Sequence, residues 1–374
     1  MMKSIFTTAI MLLMAAFCQA QTFQWVKGGG GSNSGNILTD DEQVRYMCTD
    51  NNKNTYVVST IFTLSFSADT FQVPIGHYPS YQQILLSSYR CDGSMRWARI
   101  FEGNADCAIG GLVFDGANGV YMSGDNRGDG SLKYMGDGIG TMAYNNRRTF
   151  VVKYDTSGTQ QWLQFIGPAS ATTLVNTGSF GLAMDGQGNV HNFVSAFAGQ
   201  YITSSITSVK GCYDVKYSST GMLLSALRLN VDSGYYLISS PIISKKSNKL
   251  FTIVKQDPTF GSGAFLAAFY PNGNLIWKDT VGNLSTINAI IYDGNNAIYS
   301  THSGFGGQFS FQGHSAVNSS YANGALGLIS KVDTNGSIKW LFKNESRYSN
   351  GQIHSIAQLN SSTLIAGGNF AGKV

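Results

Sequence analysis

The segment Phe150-Val-Val-Lys-Tyr-Asp-Thr-Ser-Gly-Thr-Gln-Gln-Trp162 decides the fold of this chain. It opens with a mostly apolar run, passes through Asp-Thr-Ser-Gly and returns to a tryptophan. Glycine accepts a positive φ at a turn without steric cost, and a nearby Asp, Asn or Ser can bond its own backbone. The segment therefore predicts a β-hairpin whose returning strand carries a tryptophan.

Five copies of this hairpin recur along the chain, roughly 50 to 65 residues apart. Each has a glycine followed four residues later by tryptophan, except that the third copy has a serine in place of the tryptophan. We expect the indole rings to pack between neighbouring sheets. The pairs are Gly93 and Trp97, Gly158 and Trp162, Gly221 and Ser225, Gly273 and Trp277, and Gly336 and Trp340.

A second hairpin alternates with the first. In it an Asp opens a polar turn and an aromatic residue follows six positions later, as in Asp115 to Tyr121. Two hairpins in each unit predict an all-β chain, a β-propeller with about six four-stranded antiparallel blades. A β-sandwich would not repeat one four-strand unit in register, and a β-helix has far shorter coils. The other copies, two of them degenerate, are Asp50 to Tyr56, Asp185 to His191, Lys245 to Phe251, Asp293 to Tyr299 and Asn360 to Leu364.

Both ends of the repeat array are irregular. The segment Phe23-Gln-Trp-Val-Lys27 matches the tryptophan strand that ends a blade, yet it precedes the first blade, so we expect it to close the last one and remove an exposed edge. The sixth unit has its first hairpin, Ile353 to Gly367, and the sequence ends at Val374. The last blade is thus expected to be incomplete. Either a short strand over 369–374 closes it, or the chain is truncated at the C-terminus, which is favoured because the other units continue further.

The repeat resembles the exported β-propeller family called SBBP. The resemblance is carried by Asp115-Gly-Ala-Asn-Gly-Val-Tyr-Met-Ser-Gly124 and Val152-Lys-Tyr-Asp-Thr-Ser-Gly-Thr-Gln-Gln-Trp162, and again by 185–189 and Lys331-Val-Asp-Thr-Asn-Gly-Ser-Ile-Lys-Trp340. It spans roughly residues 43 to 370 through short motifs and is weakest in the fourth unit, where Lys245 replaces the Asp. It implies a secreted or surface-attached propeller, commonly with a C-terminal sorting domain of the type IX secretion kind. It transfers no catalytic residues.

Residues 1–20 predict a signal peptide. Lys3 is followed by an apolar run too short to span a bilayer, and Ala20 provides a small residue at the expected cleavage point. We therefore expect a secreted or cell-surface protein with one β-propeller domain over 21–374. A lipoprotein reading, with Cys18 lipidated, is less favoured because the bulky Phe17 precedes it.

The bulk composition fits many short strands and tight turns. The chain has 44 glycines and 6 prolines, and only 12% of its residues are charged. A formal net charge of +4 is too small to indicate nucleic acid as a partner. No transmembrane segment and no oligomeric partner is expected.

The cysteines that follow the leader are expected to be buried or half-buried thiols, since their repeat positions do not bring pairs together. They are Cys48, Cys91, Cys107 and Cys212.

No catalytic, cofactor-binding or metal-ligating set emerges from the sequence. The Asp-rich turns at Asp50, Asp185 and Asp293 could offer oxygens to a cation, but Asx-stabilised hairpin turns explain them without an ion. Asp125 to Asp137 is interpreted as an inserted loop. Gly136 to Gly140 resembles a phosphate-binding loop only superficially, because it precedes no helix and belongs to a chain expected to be exported. Histidines and glutamates show no ligand or paired-carboxylate spacing. The histidines are His77, His191, His302, His314 and His354, and the glutamates are Glu42, Glu102 and Glu345.

These observations favour a non-catalytic binding or adhesion module for a protein or glycan, without a cofactor. Loop tyrosines could stack on such a ligand. The alternative is an extracellular propeller enzyme, a glycan lyase or hydrolase or a quinone-dependent dehydrogenase, with polar groups gathered at the channel mouth. The tyrosines considered are Tyr78, Tyr81, Tyr235 and Tyr236.

Overall fold

The chain is built almost entirely of short antiparallel β-strands. The structure is a computed structural model, and it describes residues 29–31, 43–61, 65–68, 71–74, 81–102, 106–126, 133–134, 148–166, 177–196, 209–231, 235–237, 241–256, 264–281, 285–304, 308–311, 314–317, 326–344 and 352–369. These residues form 29 strands and no helix. None of them therefore forms a helix long and apolar enough to cross a membrane.

The strands fall in chain order as follows. The first group is β1 (Gly29–Gly31), β2 (Gln43–Thr49), β3 (Thr55–Ile61), β4 (Ser65–Ala68), β5 (Phe71–Pro74), β6 (Gln83–Tyr89) and β7 (Met95–Glu102). The second is β8 (Cys107–Phe114), β9 (Gly119–Asn126), β10 (Lys133–Tyr134), β11 (Arg148–Asp155) and β12 (Gln160–Phe165). The third is β13 (Thr177–Met184), β14 (Val190–Ala196), β15 (Gly211–Tyr217) and β16 (Leu223–Arg228).

The remaining strands continue the same pattern. The fourth group is β17 (Tyr235–Leu237), β18 (Ile242–Ile243), β19 (Leu250–Gln256), β20 (Ala264–Phe269) and β21 (Leu275–Val281). The fifth is β22 (Ser285–Tyr292), β23 (Ala297–Gly304), β24 (Gln308–Phe311), β25 (His314–Val317), β26 (Leu326–Asp333) and β27 (Ile338–Asn344). The sixth is β28 (Gln352–Asn360) and β29 (Thr363–Asn369).

Each unit folds as an up-and-down antiparallel sheet. The first sheet is β2-β3-β6-β7, the second β8-β9-β11-β12, the third β13-β14-β15-β16 and the fifth β22-β23-β26-β27. In the fourth sheet β19-β20-β21 is preceded by two short pieces, β17 and β18, which both pair with β19. The sixth sheet contains β28 and β29 among the described residues. The prediction of repeated four-stranded antiparallel sheets is thus confirmed.

In the second and fifth units, a segment inserted between the second and third strands reaches back to the preceding sheet. In the second unit β10 pairs with the end of β7, the outer strand of the first sheet. In the fifth unit β24 pairs with Val281 at the end of β21, the outer strand of the fourth sheet. In the first unit β4 pairs with β1 over Gly29 to Gly31. These pairings cover sheet edges that would otherwise present unpaired backbone groups.

The hairpin turns follow the chemistry that the repeat predicts. The five glycines of the tryptophan hairpins all have φ between 81° and 91°. At the Asp turns the carboxylate accepts backbone N–H groups, as when Asp185 Oδ1 accepts from Gln187 and Asn189 at 2.9 Å each. Asp50 accepts in the same way from Asn52 and Asn54. The sequence therefore fixes these turns locally.

The tryptophans join each sheet to the next. The indole N–H of Trp97 donates to the backbone oxygen of Thr156 in the second sheet at 3.1 Å. The same bond recurs from Trp162 to Ser219 at 3.0 Å and from Trp277 to Thr334 at 3.1 Å. Apolar clusters fill the spaces between consecutive sheets from the first to the sixth. The first strands of consecutive sheets also contact one another. The arrangement is β-propeller-like.

Three expectations need correction. Cys107 and Cys212 are buried and Cys48 is partly buried, but Cys91 is exposed because it lies in a hairpin turn. Tyr235 and its neighbour Tyr236 lie in β17, and the first of the Asp residues assigned to an insertion loop lies in β9. That residue, Asp125, is buried, and its carboxylate accepts hydrogen bonds from Thr149 Oγ1 at 2.9 Å and from the Ser179 N–H at 2.8 Å. Residues 1–20, Phe23 to Lys27, His77, Tyr78 and Gly136 to Gly140 lie outside the described residues.

Candidate functional site

The first strand of five sheets carries a β-bulge at the same place in the repeat. Each bulge inserts one residue that has no partner on the second strand, five residues before the turn Asp in four of the sheets. Bulges commonly re-aim a side chain and are frequent beside functional sites. The inserted residues are Arg45, Gly110, Phe180, Asn288 and His354.

Two of the five bulge positions are filled by packing. A Cβ at Gly110 would overlap Ser179 Oγ, so the third sheet packs directly against this backbone. Phe180 packs against the apolar cluster between the third and fourth sheets. The three polar bulge residues, Arg45, Asn288 and His354, instead line one cavity.

This central cavity has a volume of about 650 Å³ and is lined from the first, second, fifth and sixth sheets. Ligand pockets typically range from about 300 to 1,000 Å³. Besides the three bulge residues, its wall includes Tyr46 and Gln82. Apolar residues such as Ile109 complete the wall, so the cavity combines hydrogen-bonding groups with apolar surface.

The polar side chains of the cavity differ in how they are held in place. Asn288 is fixed, because its side-chain amide donates to Ser303 Oγ at 2.8 Å and to the backbone oxygen of Ile353 in the sixth sheet at 2.6 Å. Arg45 and His354 are exposed. Hydrogen bonds thus hold one edge of the cavity, and two exposed side chains that can carry positive charge also line it.

The wall of the central cavity holds no Asp or Glu among the residues that the structure describes. Glycoside hydrolysis ordinarily uses a pair of carboxyl groups as acid and base or nucleophile. A guanidinium, an imidazole and neutral amides instead suit recognition of hydroxyl, carbonyl or anionic oxygens. Chemically, this arrangement can bind and orient a polar ligand.

The Asp-rich turns considered as cation sites act as backbone caps. In Asp50, burial opposes ionisation, but hydrogen bonds from Asn54 and Tyr56 hold the pKa below its usual value. Asp293 caps its turn in the same way, since its Oδ1 accepts the backbone N–H groups of Asn295 at 2.9 Å and of Ala297 at 3.0 Å. In the described parts of the chain, no three His, Cys, Asp or Glu side chains are grouped to hold a metal ion. The carboxylate oxygens of these turns are committed to hairpin stabilisation.

The four histidines that the structure describes lie in four different strands. His191 lies in β14, as its repeat position predicts, and its Nδ1 lies 2.8 Å from Asp214 Oδ2. His302 is fully buried in the fifth sheet, and this burial lowers its pKa to about 3. His354 faces the central cavity. His314 lies in β25.

The cavity residues escaped detection by motif, although the sequence contains a signal for them. Arg45 and Asn288 lie five residues before a turn Asp, and His354 lies six residues before Asn360. The residue at the bulge varies among Arg, Gly, Phe, Asn and His, while the flanking strand pattern is kept. Tyr81, chosen as an exposed aromatic, is 40% exposed but does not line this cavity.

No protein-family model and no curated protein sequence matches the chain. The likeness of its repeat to the SBBP family therefore rests on the sequence motifs alone.

Proposed function

We propose that this chain is an exported, non-catalytic β-propeller that binds a protein or glycan at the mouth of its central cavity. The observation that carries the proposal is the set of three polar bulge residues, Arg45, Asn288 and His354, which come from different sheets and line one space. Export is inferred from the leader over residues 1–20, and the SBBP resemblance supports a surface role.

We also infer that the six sheets form a closed ring. Strands β2 of the first sheet and β28 of the sixth line the same cavity, as a ring requires. The face of the first sheet that points away from the second is buried as well, since Ile61, Leu85 and Ile100 are at most 2% exposed.

The inserted strands support closure by the N-terminal segment. In the second and fifth units the inserted strand pairs with the residue four positions after the tryptophan of the preceding sheet, Phe101 after Trp97 and Val281 after Trp277. In the first unit β4 pairs with Gly29, four positions after Trp25. From this spacing we infer that Phe23 to Lys27 takes the place of an outer strand in the sheet that precedes the first.

The ligand is expected to present oxygen atoms to Arg45 and His354. Acidic and neutral glycans both carry such atoms, and so does an acidic peptide. Binding of the chain over 21–374 should therefore be measured on an array that contains neutral oligosaccharides, uronate oligosaccharides and acidic peptides. Arg45→Ala is expected to weaken the strongest interaction roughly tenfold or more, because a charge-assisted hydrogen bond contributes about 1.5–3 kcal/mol.

Arg90→Ala is the matched control, because Arg90 is an exposed arginine that bonds to Ser94 in a hairpin turn and does not line the cavity. Equal losses from the two variants would mean that binding depends on overall charge and would contradict the proposal. Release of new saccharide ends during incubation would favour the enzyme alternative.

A further inference from the structure

The third sheet departs from the repeat at three positions that lie together. In every four-stranded unit, one row of paired residues runs across the second, third and fourth strands, as in Tyr121, Lys153 and Trp162. In the third sheet this row is His191, Lys216 and Ser225. Histidine thus replaces an aromatic residue and serine replaces tryptophan.

The third departure is an acidic residue at an apolar position. In the third sheet, Asp214 lies two residues before Lys216, the central residue of the row. Because the same unit is repeated, the other sheets serve as internal controls. Four of them can be compared at the position of Asp214, and each has an apolar residue there. Their residues are Leu86, Val151, Leu266 and Ile329.

These substitutions build one polar group. His191 Nδ1 lies 2.9 and 2.8 Å from the two carboxylate oxygens of Asp214, and its Nε2 lies 3.4 Å from Asp185 Oδ2. Lys216 Nζ donates to the same Asp185 oxygen at 2.7 Å. Burial opposes ionisation of Asp185, but hydrogen bonds from Asn189 and Lys216 keep its pKa far below the usual range. Asp185 is therefore an ionised anchor of the group.

A cavity of about 130 Å³ lies where this group faces the fourth sheet. At the first–second, second–third and fourth–fifth interfaces an indole ring fills the corresponding space and bonds to the next turn. Here Ser225 leaves the space open. Its wall includes the apolar side chains of Leu229, Ile243 and Leu250, all at most 7% exposed, together with Asn248 and Tyr270 of the fourth unit. The cavity is large enough to hold a small molecule in place of several waters.

The bonding capacity left in the group indicates the kind of ligand. Asp185 already accepts four hydrogen bonds. Two come from the backbone N–H groups of Gln187 and Asn189, one from the Asn189 side-chain amide and one from the Lys216 ammonium. Asp214 is bonded by His191 alone among the contacts described, and the ammonium of Lys216 keeps further N–H groups. A carboxylate, an ammonium and an apolar wall together complement a small zwitterion with an apolar body.

We propose that the cavity between the third and fourth sheets binds a free α-amino acid with an apolar side chain. Its ammonium group would bond to Asp214, its carboxylate to Lys216, and its side chain would occupy the space that tryptophan fills elsewhere. This site shares no described lining residue with the central cavity, so it does not depend on the function proposed there.

Calorimetric titration of the chain over 21–374 with L-leucine tests this proposal. We expect saturable binding that is at least tenfold weaker for N-acetyl-leucine, which lacks the ammonium, and for leucinamide, which lacks the carboxylate. Asp214→Asn keeps the volume and should weaken leucine binding at least tenfold. Ser225→Leu should abolish binding without lowering the thermal midpoint, because it fills the cavity with apolar volume.

Asp92→Asn, at an exposed turn carboxylate of the first sheet, is the matched control and should bind like the unaltered chain. Arg45→Ala should also leave leucine binding intact, which separates this site from the central cavity. Absence of binding up to roughly 10 mM leucine, or equal binding by the Asp214→Asn variant, would overturn the proposal. If Ser225→Leu fails to fold, Asp214→Asn still decides.

Discussion

Glycines with positive φ stand in two different surroundings in this chain. Gly158 has φ +87° and a Cβ there would meet the Trp97 ring at 2.7 Å, whereas Gly116 has φ +83° and open space around the same position. The first glycine therefore serves both the turn and the packing between sheets, and the second serves only the turn.

Gly158→Ala should consequently destabilise the chain more than Gly116→Ala. Backbone strain at positive φ costs about 1 kcal/mol in both variants, and displacement of the Trp97 ring should add roughly 1–3 kcal/mol in the first. Denaturant unfolding of the two variants measures the difference. Equal losses of stability would mean that the Trp97 ring can move aside at no cost and that its contact with Gly158 does not stabilise the fold.

His302 should make stability depend on pH in a defined window. Its imidazole lies 2.9 Å from the hydroxyls of both Ser300 and Ser330, and burial lowers its pKa from an ordinary 6.5 to about 3. Above pH 6.5 the group has no effect. As the pH falls from 6.5 towards 3, the unfolded chain takes up a proton that the folded chain does not, and stability drops by up to about 1.4 kcal/mol per pH unit.

Unfolding of His302→Gln between pH 6.5 and 4.5 tests this origin, because glutamine can bond to serine hydroxyls but does not titrate. The variant should lose the part of the slope that corresponds to one proton. The carboxylates are the same in both proteins and contribute equally to their slopes. An unchanged slope would assign the pH dependence to other groups.

At the scale of the strand, the tryptophan position sets how firmly two sheets are joined. Trp162 packs against Gly221 of the third sheet and donates to Ser219 there, whereas Trp340 is 39% exposed. The same residue type in the same repeat position thus contributes differently.

Trp162→Ser should lower the free energy of unfolding by about 3–5 kcal/mol, and Trp340→Ser by much less. Serine is the residue that the third sheet has at this position, so each variant repeats a substitution already tolerated by the fold. Thermal and urea unfolding compare the two. A larger loss from Trp340→Ser would contradict the assignment of sheet contacts.

Hairpins could be predicted from sequence, but the site could not. The spacing of Asp, glycine and tryptophan is local, and it fixed the turns at Asp115 and Gly158 correctly. A bulge depends on pairing with a neighbouring strand, so the five-residue spacing from Arg45 to the turn residue Asp50 gains meaning only once that pairing is known. Likewise the Asp214 and His191 pair joins residues on adjacent strands, which a linear motif does not connect.

At the scale of the whole molecule, the account depends on Phe23 to Lys27 closing a ring of sheets. If this segment is the outer strand of the sheet that precedes the first, Trp25 should carry the role that Trp162 carries. Trp25→Ser should then lower the free energy of unfolding by about 3–5 kcal/mol. An effect below about 0.5 kcal/mol, the usual size for an uninvolved surface position, would argue against closure by this strand.

Hydrogen exchange of residues 23–27 in the chain over 21–374 tests the ring most directly. If the segment is paired in a sheet, its amides should exchange as slowly as those of β7, β12 and β21, the outer strands of other sheets. Exchange at the rate of an unstructured chain would contradict a ring closed by this segment.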